Sequence, residues 1–344
     1  MLKKKFKIKA AVLVKQKKNL QILDLTLPDK LEQGQILIKI KTAAICGAQI
    51  GEIDGIKGKD RWIPHCLGHE GYGIVVKKNK LVKKVNINDE VILHWRKSDG
   101  KNAKPPVYKS KIGNINAGQI TTFQNYAIIS ENRVTRVKNL KKYSKIAPLL
   151  GCAFPTAWGI LNKETRFNIN KKILVFGAGG IGMTVAALAK IQKSKSVVLI
   201  DKGKKKLKYT KRLNLTLSNM KKIKKNKFDI VVETTGNIKN MEKGFNHLNK
   251  NGRLILVGQP KINSILRIKN PLRLFNPPAD NIKIISSDGG KFNPKHDMNK
   301  LLLIIKNNFS YLKKLLSHRI NIININKAIK LIKNGNAARI IIGY

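Results

Sequence analysis

An α/β fold is predicted for this chain, a compact β-barrel followed by a doubly wound parallel sheet, and three observations predict it. Short apolar runs broken by turns crowd the N-terminal part, and from about Lys171 apolar strands alternate with amphipathic segments. A glycine-rich turn between a strand and a helix opens that second regime. At 344 residues the chain is long enough for two ordinary domains and an ample core.

The strand-like runs of the N-terminal part are residues 10–14, 35–40, 73–76, 90–93 and 123–129, spaced closely enough for a small barrel. Residues 100–111, with Lys104-Pro105-Pro106, read as a long surface loop. Strands of the parallel sheet are expected at 173–176, 197–200, 229–232, 254–257 and 283–285. Beyond Gly290 come helical stretches at 297–307 and 326–333 and a final strand at 339–342. No internal repeat and no disordered tail stands out.

The strand Ile173-Leu174-Val175-Phe176 leads into Gly177-Ala178-Gly179-Gly180-Ile181-Gly182, and a small-residue helix from Met183 to Lys190 leaves it. Nineteen residues past Gly182, Asp201 closes a second apolar run, Val197-Val198-Leu199-Ile200. Together these make a dinucleotide-binding βαβ unit. Gly177 permits the tight turn, Gly179 lets the backbone through Gly180 and Ile181 approach a pyrophosphate at a helix N-terminus, and Gly182 lets helix and strand pack closely. Asp201 is expected to accept from a ribose diol and to repel a 2′-phosphate, so NAD(H) is expected over NADP(H), with Lys202 and Lys204 softening that preference. Lys206, which ends the run Lys204-Lys205-Lys206, is a further expected cofactor contact.

The balance of 70 Lys+Arg against 19 Asp+Glu, formally +51, points at first to a polyanion partner. Most of the basic residues are Lys spread along the whole length, and Ile and Asn are abundant too. All three have AT-rich codons, so a biased genome accounts for them. The Lys runs lack the aromatic interleaving and Arg clusters of base recognition, so no specific nucleic-acid partner is expected, only a general field that favours anionic ligands. Cys46, Cys66 and Cys152 do not make a disulfide framework, which suits a reducing compartment. The five apolar residues at 10–14 are too short for a signal-peptide core, and the stretch 173–189 is too short for a membrane span, so a soluble, cytoplasmic protein is expected.

Three spaced segments carry the chemistry of the N-terminal part: Ala43-Ala44-Ile45-Cys46-Gly47, Gly68-His69-Glu70-Gly71 and Leu149-Leu150-Gly151-Cys152-Ala153. Two thiolates and one imidazole suit a tetrahedral Zn²⁺ with one open position. Taken singly, a buried Cys is a small hydrophobe and a lone His proves little. With the dinucleotide unit, these segments resemble the zinc-containing medium-chain dehydrogenase/reductase family, of the alcohol dehydrogenase type. The resemblance also takes in Lys9-Ala10-Ala11-Val12, Asn88-Asp89-Glu90-Val91 and the close of the chain from Gly335 to Ile342.

The resemblance implies a GroES-like barrel formed by both chain ends, residues 1–154 and 291–344, with a Rossmann domain at 155–290 inserted between them. It implies Cys46, His69 and Cys152 as catalytic zinc ligands, and Glu70 as a nearby acid able to approach or exchange onto the metal. Arg339 falls where the family often places an Arg near the cofactor pyrophosphate, with a surface salt bridge as the alternative. Trp95 falls where an aromatic lines the substrate pocket, with core packing as the alternative. A homo-oligomer, dimer or tetramer, and hydride transfer between an alcohol or carbonyl substrate and NAD(H) are implied as well.

Three departures qualify this. No cysteine lies in residues 97–120, where the family's alcohol dehydrogenases commonly carry four that hold a structural zinc, so at most one zinc site remains. Ala48 stands where a Ser or Thr usually begins a proton relay, and Gln49 where an acidic partner is common. Glu52, His65, His94 or an ordered water are the replacements on offer, and sequence assigns none of them. Cys66 and His65 are expected as packing residues rather than ligands. Without the hydroxyl, a substrate with an adjacent hydroxyl supplies its own first proton link, which favours polyol- or sugar-derived alcohols. The competing readings are a zinc-free medium-chain reductase of enones or quinones and a non-catalytic dinucleotide- or polyanion-binding protein.

Overall fold

A computed structural model describes residues 6–344, the side chain of Lys204 excepted. Ahead of Cys152 run β1 (Lys7–Leu13), β2 (Gln21–Thr26), β3 (Gln35–Ala44), α1 (Gly47–Asp54), β4 (His65–Cys66), β5 (Glu70–Lys78), β6 (Glu90–His94), β7 (Val107–Ser110), β8 (Gly113–Asn116), β9 (Tyr126–Ser130) and β10 (Val134–Arg136). Strands β1, β2, β7, β8 and β4 close into a barrel around Ala10, Val12, Leu23, Leu25 and Tyr108.

The expected loop at 100–111 therefore ends in a strand. Tyr108 faces inward opposite Ile115, while Val107 and Lys109 face out, so only alternate residues are apolar and buried. The run at 123–129 becomes a strand only at Tyr126, because the Phe123 and Asn125 backbone N–H groups donate to Leu67 and Lys9 rather than to a continuous ladder.

The chain then buries α2 (Ala153–Gly159) on every side and enters β11 (Lys172–Phe176), α3 (Gly180–Ile191), β12 (Ser196–Ile200), α4 (Leu207–Arg212), β13 (Thr216–Ser218), β14 (Phe228–Glu233), α5 (Ile238–Asn246), β15 (Leu248–Leu256) and β16 (Lys283–Ser286). These strands form one parallel sheet in the order β13-β12-β11-β14-β15-β16. Ile173, Leu174, Val175 and Phe176 are buried completely, as a central parallel strand covered on both faces requires. The order reverses between β11 and β14, so the carboxyl end of β11 is the switch point where such sheets bind ligands.

Helices α6 (Pro294–Asn307) and α7 (Phe309–Leu312) lead to β17 (Leu316–Asn321), α8 (Ile325–Lys333) and β18 (Arg339–Gly343). β17, unread in the sequence, runs parallel to β18. β18 pairs antiparallel with β3, Ile341 opposite Ala44, in the sheet β10-β6-β5-β3-β18-β17. The end of the chain thus returns to the N-terminal half, but it joins this second sheet. The closed barrel is made from N-terminal strands alone. Among the described residues no helix is long and apolar enough to cross a membrane.

Candidate metal centre and cofactor cleft

Cys46 follows β3 directly and sits at the N-cap of α1, His69 lies on the turn between β4 and β5, and Cys152 immediately precedes α2. Three segments far apart in sequence meet here because β3 and β5 are neighbours in one sheet and the turn before Cys152 packs directly on β5 and β6, where a Cβ on Gly151 would lie 2.7 Å from Glu70 Cα and 2.2 Å from the Leu93 carbonyl oxygen. The ligand atoms of Cys46, His69 and Cys152 all lie within 4.8 Å of one another. The two Sγ atoms are 3.9 Å apart. Tetrahedral coordination with Zn–S bonds of about 2.3 Å requires an S···S separation of about 3.8 Å, so the donor set fits zinc. His69 Nε2 is buried and has no hydrogen-bond partner, as an imidazole nitrogen reserved for a metal would be.

The two thiols share one environment unequally. The hydrogen bond from Cys152 holds the Cys46 thiol well below its usual range, against the effect of burial. The same bond, with burial, pushes Cys152 well above it. Burial disfavours charge on His69, but Cys46, Glu70 and Glu52 together outweigh it and raise the imidazole overall. The Gln49 side chain ties these parts together: the Cys46 backbone N–H donates to its Oε1 at 3.2 Å, and its Nε2 lies 2.5 Å from His69 Nδ1.

Glu70 is not part of the ligand cluster. Its Oε1 pairs with Arg339, and its Oε2 accepts from the Ala153 N–H at 3.4 Å. The acid expected to approach or exchange onto the metal is held here in an ion pair with the guanidinium. Nor is this the surface salt bridge weighed for Arg339, since the two side chains are 0 % and 2 % exposed. Arg339 also reaches the nucleotide turn, where a Cβ on Gly180 would lie 2.8 Å from its Nη1, and its Nε is buried without a partner.

In the turn itself, Gly177 adopts φ +97°, and a Cβ on Gly182 would lie 1.9 Å from the Gly177 carbonyl oxygen, so the first and third glycines answer to a tight turn and a close approach. Gly179 faces open space, with nothing within 4 Å of a Cβ there, which leaves the backbone before α3 and Ile181 accessible to an anion. Asp201 binds the turn from below, Oδ2 accepting from Ala178 N–H and Oδ1 from Gly203 N–H, both at 2.8 Å. Lys206, expected as a cofactor contact, lies close to the turn through Asp201. Its Nζ donates to the Ala337 carbonyl at 2.5 Å, so a buried amine clasps the C-terminal segment beside Asp201 instead of standing free.

A cavity of about 650 Å³ opens beside His69, bounded by Gln49, Glu52, Asp60, Trp62 and His65. Trp62 and Glu52 were not read as pocket walls; the position of Glu52 on one helix face with Gln49 is the signal that marks the acid, and no local pattern marks Trp62. Trp95 does not line this cavity. Its ring packs against Gly289, whose added Cβ would lie 2.5 Å from Cζ2, and Arg96 stacks on it at 5.1 Å. Cys66 is buried inside the barrel, and burial raises its thiol far above the usual range.

The family profile described as "Alcohol dehydrogenase GroES-like domain" matches residues 32–139, and that described as "Zinc-binding dehydrogenase" matches residues 180–307. Alcohol dehydrogenase 6 of Peromyscus maniculatus is 26 % identical over 345 residues, covering 90 % of each chain. An S-(hydroxymethyl)glutathione dehydrogenase of Synechocystis is 26 % identical over 259 residues, 67 % of this chain and 69 % of that protein. Among solved structures, benzyl alcohol dehydrogenase from Acinetobacter calcoaceticus superposes with TM-score 0.84 at 19 % identity over 98 % of this chain and 99 % of that one. An alcohol dehydrogenase of Escherichia coli CFT073 solved with NADH gives 0.77 at 18 % identity, with the same coverage. Two profiles that together take in well over half the sequence, on a barrel joined to a doubly wound sheet, establish that this chain belongs to the zinc-type medium-chain dehydrogenase/reductase family.

Proposed function

We propose that the protein is an oxidoreductase that transfers a hydride between an alcohol or carbonyl substrate and NAD(H), with one zinc ion held by Cys46, His69 and Cys152. The convergence of three ligand atoms within 4.8 Å, beside a cavity and a glycine turn, carries this reading. When bound, zinc polarises a substrate oxygen and the nicotinamide ring accepts or returns the hydride. The chain's own residues do the rest. The backbone at Gly179–Ile181 and Arg339 bind the pyrophosphate, Asp201 accepts from the ribose, and Gln49 orients His69 through Nδ1.

We take residues 1–154 and 291–344 as the catalytic domain and 155–290 as the cofactor domain. A zinc-free reductase gives no role to two thiols and an imidazole gathered at metal-ligand distance. Ala48, exposed on α1, offers no hydroxyl, so polyol- or sugar-derived alcohols are the favoured substrates. A homo-oligomer is also proposed, supported by Ile262, Ile265, Leu272 and Phe275, large apolar side chains 64–69 % exposed between β15 and β16. Light scattering tests it.

Metal analysis of purified protein, coupled to NADH absorbance over a broad alcohol panel, tests the main reading. About one zinc per chain is expected. Cys46→Ala or Cys152→Ala loses metal and turnover while NADH binding survives. Two zinc ions per chain, or none after metal-replete preparation, refutes the site.

A further inference from the structure

The missing hydroxyl at Ala48 leaves the alcohol proton without its usual first acceptor. We propose that Glu52 takes that proton, as a carboxylate facing the cavity beside the metal centre. The inference rests on the hydride-transfer reading above.

Placement comes first. Gln49 and Glu52 stand three residues apart on α1, hence on one face, about 4.5 Å apart along the axis. Gln49 touches His69, and Glu52 lies one turn further along the same face; both line the cavity of about 650 Å³ with His69. Availability comes second. His65 commits Nε2 to Asp60 and Nδ1 to the Cys66 carbonyl, both at 2.8 Å. His94 donates from Nδ1 to the Arg96 carbonyl at 2.7 Å and accepts at Nε2 from the Thr135 hydroxyl at 2.9 Å. Asp60 is held by His65 and by the Trp62 N–H. The Glu52 carboxylate forms no ion pair and accepts no hydrogen bond from any described residue; only its backbone carbonyl is used, by the Gln16 side chain and the Gly55 N–H.

In oxidation the alcohol O–H bond breaks toward a Glu52 carboxylate oxygen, directly or through one water. The carbinol C–H bond breaks as hydride toward C4 of NAD⁺, and the C–O bond becomes C=O. The substrate loses two electrons and NAD⁺ gains them. Glu52 then releases its proton to solvent through the cavity mouth, and reduction runs the same steps backwards. Burial raises the Glu52 carboxyl above its ordinary value, which makes it a better base once ionised. The charged and titratable groups facing it are His69, His65, Lys57 and Asp60.

Two arms test this on the zinc-loaded protein. In the first, Glu52→Gln and Glu52→Asp are compared with wild type for propane-1,2-diol oxidation across pH, with zinc content and NADH affinity measured on each. Glu52→Gln is expected to keep zinc and NADH affinity, to lose ~10²–10⁴-fold in turnover and to lose the acid limb of the kcat/KM profile, while Glu52→Asp keeps that limb. Wild-type turnover and an unchanged profile in Glu52→Gln overturn the proposal while leaving the hydride-transfer reading intact. In the second arm, carbodiimide labelling is read by mass spectrometry, independently of turnover. Glu52 is expected to be labelled and propane-1,2-diol to protect it, with Glu70 unlabelled in its buried pair. Labelling of Glu52 that the diol leaves unchanged overturns the proposal, including where no alcohol is turned over and the hydride-transfer reading itself has failed.

Discussion

Replacing Arg339 by Met isolates the energetics of the pair that joins the metal centre to the cofactor turn. The substitution keeps much of the side-chain length and removes the charge, leaving the Glu70 carboxylate completely buried with only the Ala153 N–H at 3.4 Å as a donor. Breaking one side of a buried ion pair costs about 3–5 kcal/mol. Against a typical total stability of about 5–15 kcal/mol, that is a large fraction. The double variant Arg339→Met/Glu70→Gln removes the stranded charge and is expected to regain most of the loss, keeping about 1–3 kcal/mol for imperfectly paired polar groups. The cycle therefore yields a coupling energy of about 2 kcal/mol or more. Urea unfolding followed through tryptophan fluorescence, to which Trp158 in the core of α2 contributes, reads all four proteins. The pH dependence adds a signed check. Without the guanidinium, the buried Glu70 carboxyl binds a proton more readily in the fold than in the unfolded chain, so Arg339→Met loses less stability at pH 5 than at pH 8. A loss below about 1 kcal/mol, or one equal at both pH values, refutes the assignment of a desolvated, charge-paired contact.

His94 supplies a second pH effect: burial lowers its imidazole from 6.5 to about 4, so the fold holds it neutral and the unfolded chain binds the extra proton first. Stability is then complete above pH 6.5 and declines by about 3 kcal/mol as pH falls toward 4, a slope that His94→Gln removes in acid-unfolding measurements. Asp201→Asn keeps an acceptor for the Ala178 N–H but drops the charge, and is expected to narrow the preference for NADH over NADPH about 10–100-fold in binding titrations. An unchanged ratio would assign selectivity to the neighbouring lysines. Gln49→Glu offers an acceptor to both Cys46 N–H and His69 Nδ1–H, and is expected to tighten zinc by up to about 10–100-fold in chelator competition.

The parallel sheet was legible because a buried central strand is apolar at every residue and the glycine turn after it is chemically specific. Ile173 to Gly182 carry both properties within ten residues. β7 and β17 escaped notice because strands with one open face carry polar side chains at alternate positions, as Lys109 does in β7 and Arg319 and Asn321 do in β17. The return of the chain end to the N-terminal half followed from family resemblance. The partner that receives it, β3, is set by a register no local pattern announces, Ile341 against Ala44.

The site divides along the same line between what local chemistry dictates and what assembly decides. Cys46, His69 and Cys152 stood out because thiols and imidazoles are few in this chain, six His and three Cys, and their segments are distinctive. Glu70, Arg339 and Lys206 were recognised as site residues, but their contacts with one another and with the Ala337 carbonyl went unread, because a charged side chain takes the nearest desolvated partner and only the folded sheet fixes which one that is. With β18 beside β3, one end of the Arg339 guanidinium meets Glu70 while the other faces the glycine turn. That pairing has a chemical consequence. Because the guanidinium already neutralises Glu70, the acid nearest the ligands in sequence is occupied, and proton chemistry falls to the one cavity-lining carboxylate with no described partner, Glu52.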